Sequence, residues 1–146
     1  MALILDSEAL SALARPSLAP ERHRRVRAAL RSAQERSEPI RVPSATLVEL
    51  YRGGGTDEAI DLELGRGYAR VITTGVRTAR LAGHLLASIG AGSEMAVDAL
   101  VVATAIRLSG GLILTRDPAT SNGLPRTTRT CASPRSETSH SSQPCP

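Results

Sequence analysis

The hydrophobic positions of this chain change period repeatedly up to residue 118. Leu3-Ile4-Leu5 is a continuous apolar run ended by Asp6, the pattern of a strand buried on both faces. Ser7 is placed to cap a short helix over residues 8–14, closed by Arg15-Pro16. Pro20 suits the first position of a second helix, in which Val26, Ala29, Leu30 and Ala33 repeat at helical spacing and define a buried face. Ile40-Arg41-Val42 is the second predicted strand. Pro43 ends it, Ser44 caps a helix over residues 45–52, and Gly53-Gly54-Gly55 stops that helix. A fourth helix is predicted over residues 56–64 and a third strand over residues 70–73. Thr74 is expected to cap a helix that carries Leu81, Ala82, Leu85 and Ile89 on one face and ends at Gly90-Ala91-Gly92. Ser93 opens another, over residues 94–108, with Val97, Val101, Ala105 and Leu108 turned to the core. Gly110-Gly111 stops it, and Leu112-Ile113-Leu114-Thr115 is the fourth strand.

Strands alternating with amphipathic helices predict an α/β fold, a three-layer α/β/α domain with a mostly parallel sheet over residues 1–118. Beyond it the character changes. Ser, Thr and Pro dominate, Leu124 is the one large aliphatic residue, and neither period persists. Residues 119–146 are therefore expected to form a disordered C-terminal tail.

Composition narrows the chemistry. The chain has no Phe, no Trp and only Tyr51 and Tyr68, so its core must be aliphatic. That scarcity also argues against readers that stack nucleic-acid bases on aromatic platforms. The net charge of +4 permits a polyanionic partner. All 18 basic residues are Arg, which excludes Schiff-base and P-loop lysine mechanisms and ranks a phosphoaspartate receiver low. No segment approaches the roughly 18 apolar residues of a membrane span. The N-terminus lacks the basic flank of a signal peptide, and Cys131 and Cys145 are the only cysteines. A cytoplasmic protein without a disulfide framework is expected. His23, His84 and His140 share no metal or catalytic spacing.

The acidic residues carry more. In open α/β sheets, functional groups gather beyond the carboxyl ends of the strands. Asp6 follows the first predicted strand and Asp117 the fourth. Glu49 lies on the helix after the second strand, and Asp98 near the start of the helix that leads into the fourth. Two like charges about 4 Å apart repel by about 4 kcal/mol at an effective dielectric of about 20. Such a group would protonate, spread apart or recruit a divalent ion, and oxygen donors suit Mg²⁺ or Mn²⁺. The plainer alternative is that Asp6 only caps a turn and Asp98 only favours a helix N-terminus.

Four segments in this order resemble the PIN-domain family, and within it the VapC-type toxins of toxin–antitoxin pairs. They are Leu3-Ile-Leu-Asp6-Ser7, Pro43-Ser-Ala-Thr-Leu-Val-Glu49-Leu-Tyr-Arg-Gly53, Val97-Asp98-Ala-Leu-Val-Val-Ala103 and Leu112-Ile-Leu-Thr-Arg-Asp117-Pro118. The resemblance implies a Mg²⁺-dependent (or Mn²⁺-dependent) endoribonuclease with Asp6, Glu49, Asp98 and Asp117 as its acidic quartet. Asp6 and Asp98 are the expected metal ligands, with Ser7 and Thr115 as supporting hydroxyls. It also implies an RNA substrate, a cognate antitoxin and a homodimer.

Two departures motivate a second reading. Ala119 and Thr120 stand where family members often carry further acids, and the Ser/Thr/Pro tail replaces the usual closing strand. A PIN-like module that binds an antitoxin or RNA without cleaving would fit both. The arginines from Arg22 to Arg31 could bind phosphates or simply form a solvated helix face.

Overall fold

A computed structural model describes residues 1–115. The tail expected over 119–146, and Asp117, lie outside the described residues. Four strands form one parallel sheet: β1 (Ala2–Leu5), β2 (Ile40–Pro43), β3 (Arg70–Ile72) and β4 (Gly111–Leu114). Their order is β3-β2-β1-β4. The helices are α1 (Ser7–Ala14), α2 (Pro20–Glu35), α3 (Ser44–Leu50), α4 (Gly55–Leu64), α5 (Val76–Ile89) and α6 (Ala96–Arg107). The sheet is parallel throughout, as the alternation of strand and helix predicts.

The apolar run of β1 works on both faces of the sheet. Leu3 and Leu5 join Leu10 and Leu13 of α1 and Val26, Leu30 and Ala33 of α2 in the larger cluster. Ala2 and Ile4 face the other way, onto Val101 and Ala105 of α6. All four strand residues are 5% exposed or less, so β1 is covered on both sides and the domain has three layers. Burying a Leu or Ile side chain stabilises by roughly 1.5–3 kcal/mol, which makes this short strand the central support of the fold. Outside the sheet, α5 lies on α6, with Ala82 packed among Ala99 and Ala103 and ringed by Leu81, Leu85, Leu86 and Leu100.

Three capping expectations are corrected. Helix α1 starts one residue earlier than its pattern suggests, so Asp6, not Ser7, is its cap. Ser44 opens α3 instead of capping it; its Oγ accepts a hydrogen bond from the Thr74 backbone N–H at 3.1 Å. That bond ties the ends of β2 and β3 together. Gly75, not Thr74, occupies the cap position of α5. Helix α3 also ends at Leu50, short of Arg52, and the chain then turns through Gly53 and Gly54 at φ +87° and +69°. Those angles favour glycine. The helix expected over 94–108 begins as a single 3₁₀ turn, Ser93–Met95, before α6.

One acid is buried in the body of the fold. Glu63 of α4 has a side chain only 4% exposed and takes Arg27 of α2 on Oε1 and Arg66 on Oε2, each at 2.9 Å. The Tyr68 hydroxyl donates to Oε1 at 2.6 Å, and the Arg27 guanidinium sits 5.9 Å above the Tyr68 ring. Burial and the adjoining Glu63 carboxylate push the Tyr68 hydroxyl well above its ordinary pKa. Among the described residues, no helix is long and apolar enough to cross a membrane.

Candidate active site

All four strands run the same way, so their carboxyl ends share one rim. Strand β1 lies inside the sheet, with β2 on one side and β4 on the other. The chain therefore reverses its winding at β1, the position where α/β sheets open a crevice. Asp6 is the first residue beyond β1 and is buried, 8% exposed. Its Oδ1 accepts the Ala9 backbone N–H at 2.7 Å, which fixes the carboxylate against the first turn of α1. Strand β4 pairs with β1 in register, Leu5 opposite Leu114, which sets Thr115 beside Asp6.

Burial pushes the Asp6 carboxyl up to about 6. The hydrogen bonds from Ala9 and the Thr115 side chain oppose that shift, while the charges of Glu8 and Asp98 add to it. Asp98 lies in the first turn of α6. Its side chain reaches solvent, yet the protein around it and then the charge of Glu49 raise its pKa. Glu49 is exposed on α3, a helix packed against both α1 and α6. Asp6 thus feels Asp98, and Asp98 feels Glu49.

Three of the four acids singled out in the sequence thus influence one another electrostatically, without forming a compact cage. Among the described residues, no three Asp, Glu, His or Cys side chains stand close enough to ligate one ion together. The donor set still fits a hard divalent cation. It is all oxygen, its most buried member is disfavoured when ionised, and Mg²⁺ characteristically binds through one or two carboxylates while keeping several waters. The fourth expected acid, Asp117, is outside the described residues.

Comparison with protein families decides what this arrangement belongs to: the PIN domain model matches residues 3–122. The chain belongs to the PIN domain family. Among solved structures, this PIN domain resembles VapBC2 from Rickettsia felis bound to a DNA fragment from their promoter. The TM-score is 0.60 at 15% identity, over 86% of this chain and 94% of that one. Likeness at that identity speaks for the fold. Comparison with curated proteins finds no match.

Other groups at the rim of this PIN domain escaped the sequence pattern. Ser44 looked like a cap and instead bridges two strand ends. Arg22 and Arg25 belong to the run that the sequence left between phosphate binding and a solvated face; both line a cleft that opens beside Thr115. Arg22 also bonds Glu8 of α1 at 2.5 Å, a pairing across two helices that no single-helix periodicity can show.

Proposed function

We propose that this PIN domain is a metal-dependent endoribonuclease and the toxin of a type II toxin–antitoxin pair. Its acidic site would be Asp6, Glu49, Asp98 and Asp117, its ion Mg²⁺ or Mn²⁺, and Asp6 and Asp98 the ligands. PIN domains are generally nucleases that use divalent ions, which supports the reaction class. The neighbouring fold in a VapBC2 complex supports an antitoxin partner. A homodimer and action on RNA in the cytoplasm complete the proposal.

The observation that carries this reading is the state of Asp6. A carboxylate at the point where the sheet reverses is buried and held above its ordinary pKa, with Asp98 adding repulsion. A group so placed is a liability to stability unless a cation or a proton joins it. When bound, the ion supplies positive charge against the phosphate and makes water a better nucleophile. The chain's own residues do the rest. The Ala9 N–H holds the Asp6 carboxylate in one orientation, Thr115 favours its ionised form, and Asp98 and Glu49 extend the negative field across the rim. Water attacks phosphorus in line, a P–O bond breaks, and its oxygen leaves with a proton as a hydroxyl. No covalent enzyme intermediate is needed.

The test is RNA cleavage by the full-length protein under Mg²⁺ titration, with EDTA and Asp6→Asn as controls. Metal-dependent cleavage lost in both controls supports the reading; cleavage that persists in Asp6→Asn overturns it. One observation favours the second reading, a module that binds without cutting. No three acids among the described residues form a closed ligand set. Tight RNA or antitoxin binding with no turnover at any Mg²⁺ or Mn²⁺ concentration would establish that alternative.

A further inference from the structure

A cleft of about 440 Å³ opens between the start of α2 and the end of β4. Two residues in its wall also act on the Asp6 carboxylate: Ala9 through its backbone N–H, and Thr115, which stands beyond the neighbouring strand and favours the ionised form. The cleft therefore borders the residues that surround Asp6. Their electrostatic character differs. The acids dominate on the Asp6 side, whereas Arg22 and Arg25 line the cleft.

The charges in the cleft are not all spent internally. Arg22 is bound to Glu8. Glu21, the one acid in the lining among the described residues, is bound to Arg24, which lies outside it. Arg25 is exposed and forms no ion pair among the described residues. Guanidinium groups recognise phosphate oxygens with paired N–H donors, and a strand crossing an acidic site needs positive charge nearby to offset repulsion. We propose that this cleft is a phosphate-binding subsite, in which Arg25, with Arg22 beside it, holds a backbone phosphate of single-stranded RNA flanking the bond at Asp6. This rests on the nuclease reading and adds to it the path of the strand: out of the acidic rim, past Thr115, and along the start of α2. Arg25 is in this sense a positioning residue.

The test measures binding of a short, fluorescently labelled single-stranded RNA of mixed sequence to the full chain in EDTA, across a salt series. Arg25→Ala, Arg25→Lys and Arg22→Ala are compared with Arg31→Ala, an exposed position on the same helix outside the cleft. Melting curves confirm that each variant is folded. Arg25→Ala is expected to weaken binding about three- to tenfold and to lower the slope of log affinity against log salt by about 0.7, one phosphate contact on a single strand. Arg25→Lys should keep most of that slope, and Arg31→Ala should change neither quantity. Equal effects of Arg25→Ala and Arg31→Ala overturn the subsite. So does loss of poly-glutamate peptide binding in Arg25→Ala with RNA binding intact, which would assign the cleft to a protein ligand.

The two readings fail separately. Mg²⁺-dependent cleavage with unchanged RNA affinity in Arg25→Ala overturns the subsite alone. Weakened RNA binding in Arg25→Ala, with a wild type that never cleaves, supports the subsite and overturns the nuclease. A wild type that neither binds nor cuts RNA overturns both.

Discussion

Asp6 and Thr115 each stand one residue beyond a matched pair, Leu5 opposite Leu114, in the parallel ladder of β1 and β4. The Thr115 side chain favours the ionised Asp6 carboxylate and so lowers a pKa that burial raises. Segments from opposite ends of the described chain thus meet at one carboxyl group.

Asp6 serves both helix α1 and the acidic rim, and these roles can be separated. Asn retains the cap oxygen that accepts the Ala9 N–H and removes the charge. Asp6→Asn is expected to abolish metal-dependent cleavage and to raise thermal stability in metal-free buffer at pH 8. The folded carboxyl lies at about 6 against 3.8 for an unperturbed aspartate, so its ionisation opposes folding above pH 6. That opposition amounts to at most about 3 kcal/mol and fades as pH falls through 6. The stability gap between Asp6→Asn and wild type, read from melts at pH 5 and pH 8, should therefore be larger at pH 8. A gap independent of pH would contradict the raised pKa. Adding Mg²⁺ should stabilise wild type and not the variant.

Thr115→Val removes a hydrogen bond that favours the ionised form of Asp6. The carboxyl should then hold its proton to higher pH. The acid limb of the pH–rate profile for RNA cleavage is expected to move toward neutral pH, with the plateau rate less affected. A profile that shifts to lower pH would contradict the bond.

Gly111 of β4 lies tight against β1. A Cβ there would meet Ile4 Cγ1 at 3.0 Å and the Ala2 carbonyl oxygen at 3.1 Å. The Ile4 side chain can yield a little, but the carbonyl belongs to the ladder. Gly111→Ala is expected to destabilise by about 1–3 kcal/mol, visible as a lower urea midpoint. Because β4 also positions Thr115, the Thr115→Val pH shift should shrink in this background.

Glu63 binds two arginines and a tyrosine hydroxyl from a nearly closed site. Gln is its closest isostere, but it presents an amide N–H₂ where a guanidinium or the hydroxyl needs an acceptor. Glu63→Gln should destabilise by about 2–4 kcal/mol, measured by urea unfolding. An unchanged midpoint would show that the network only balances its own desolvation.

Much of this architecture was legible from periodicity. The run at β1, the apolar face of α2 and the glycine stops follow from local patterns that packing reinforces. Ser7, Ser44 and Thr74 were misread because capping propensity cannot fix a helix start to a single residue: Asp6, Pro43 and Gly75 take those positions. Glu63 was not legible at all: an acid in a polar helix looks solvent-facing until Arg27, Arg66 and Tyr68 are brought to it from elsewhere. The acids of the site were legible as residues, since strand ends are easy to find. That they would repel was an expectation; which of them acts on which was not legible, because it depends on α3 packing against α1 and α6.

The pairing of β1 with β4 spans roughly a hundred residues of chain. On the ribosome, the first strand is made early and its neighbour on one side is made last among the described elements. Long-range parallel pairing is intrinsically slow. Until that final strand emerges, the Asp6 carboxylate has no Thr115 beside it and the Arg25 cleft has no far wall. On the nuclease reading proposed above, the site is therefore incomplete for most of translation, and the interval before the last strand docks is the window in which an antitoxin would meet an unfinished site.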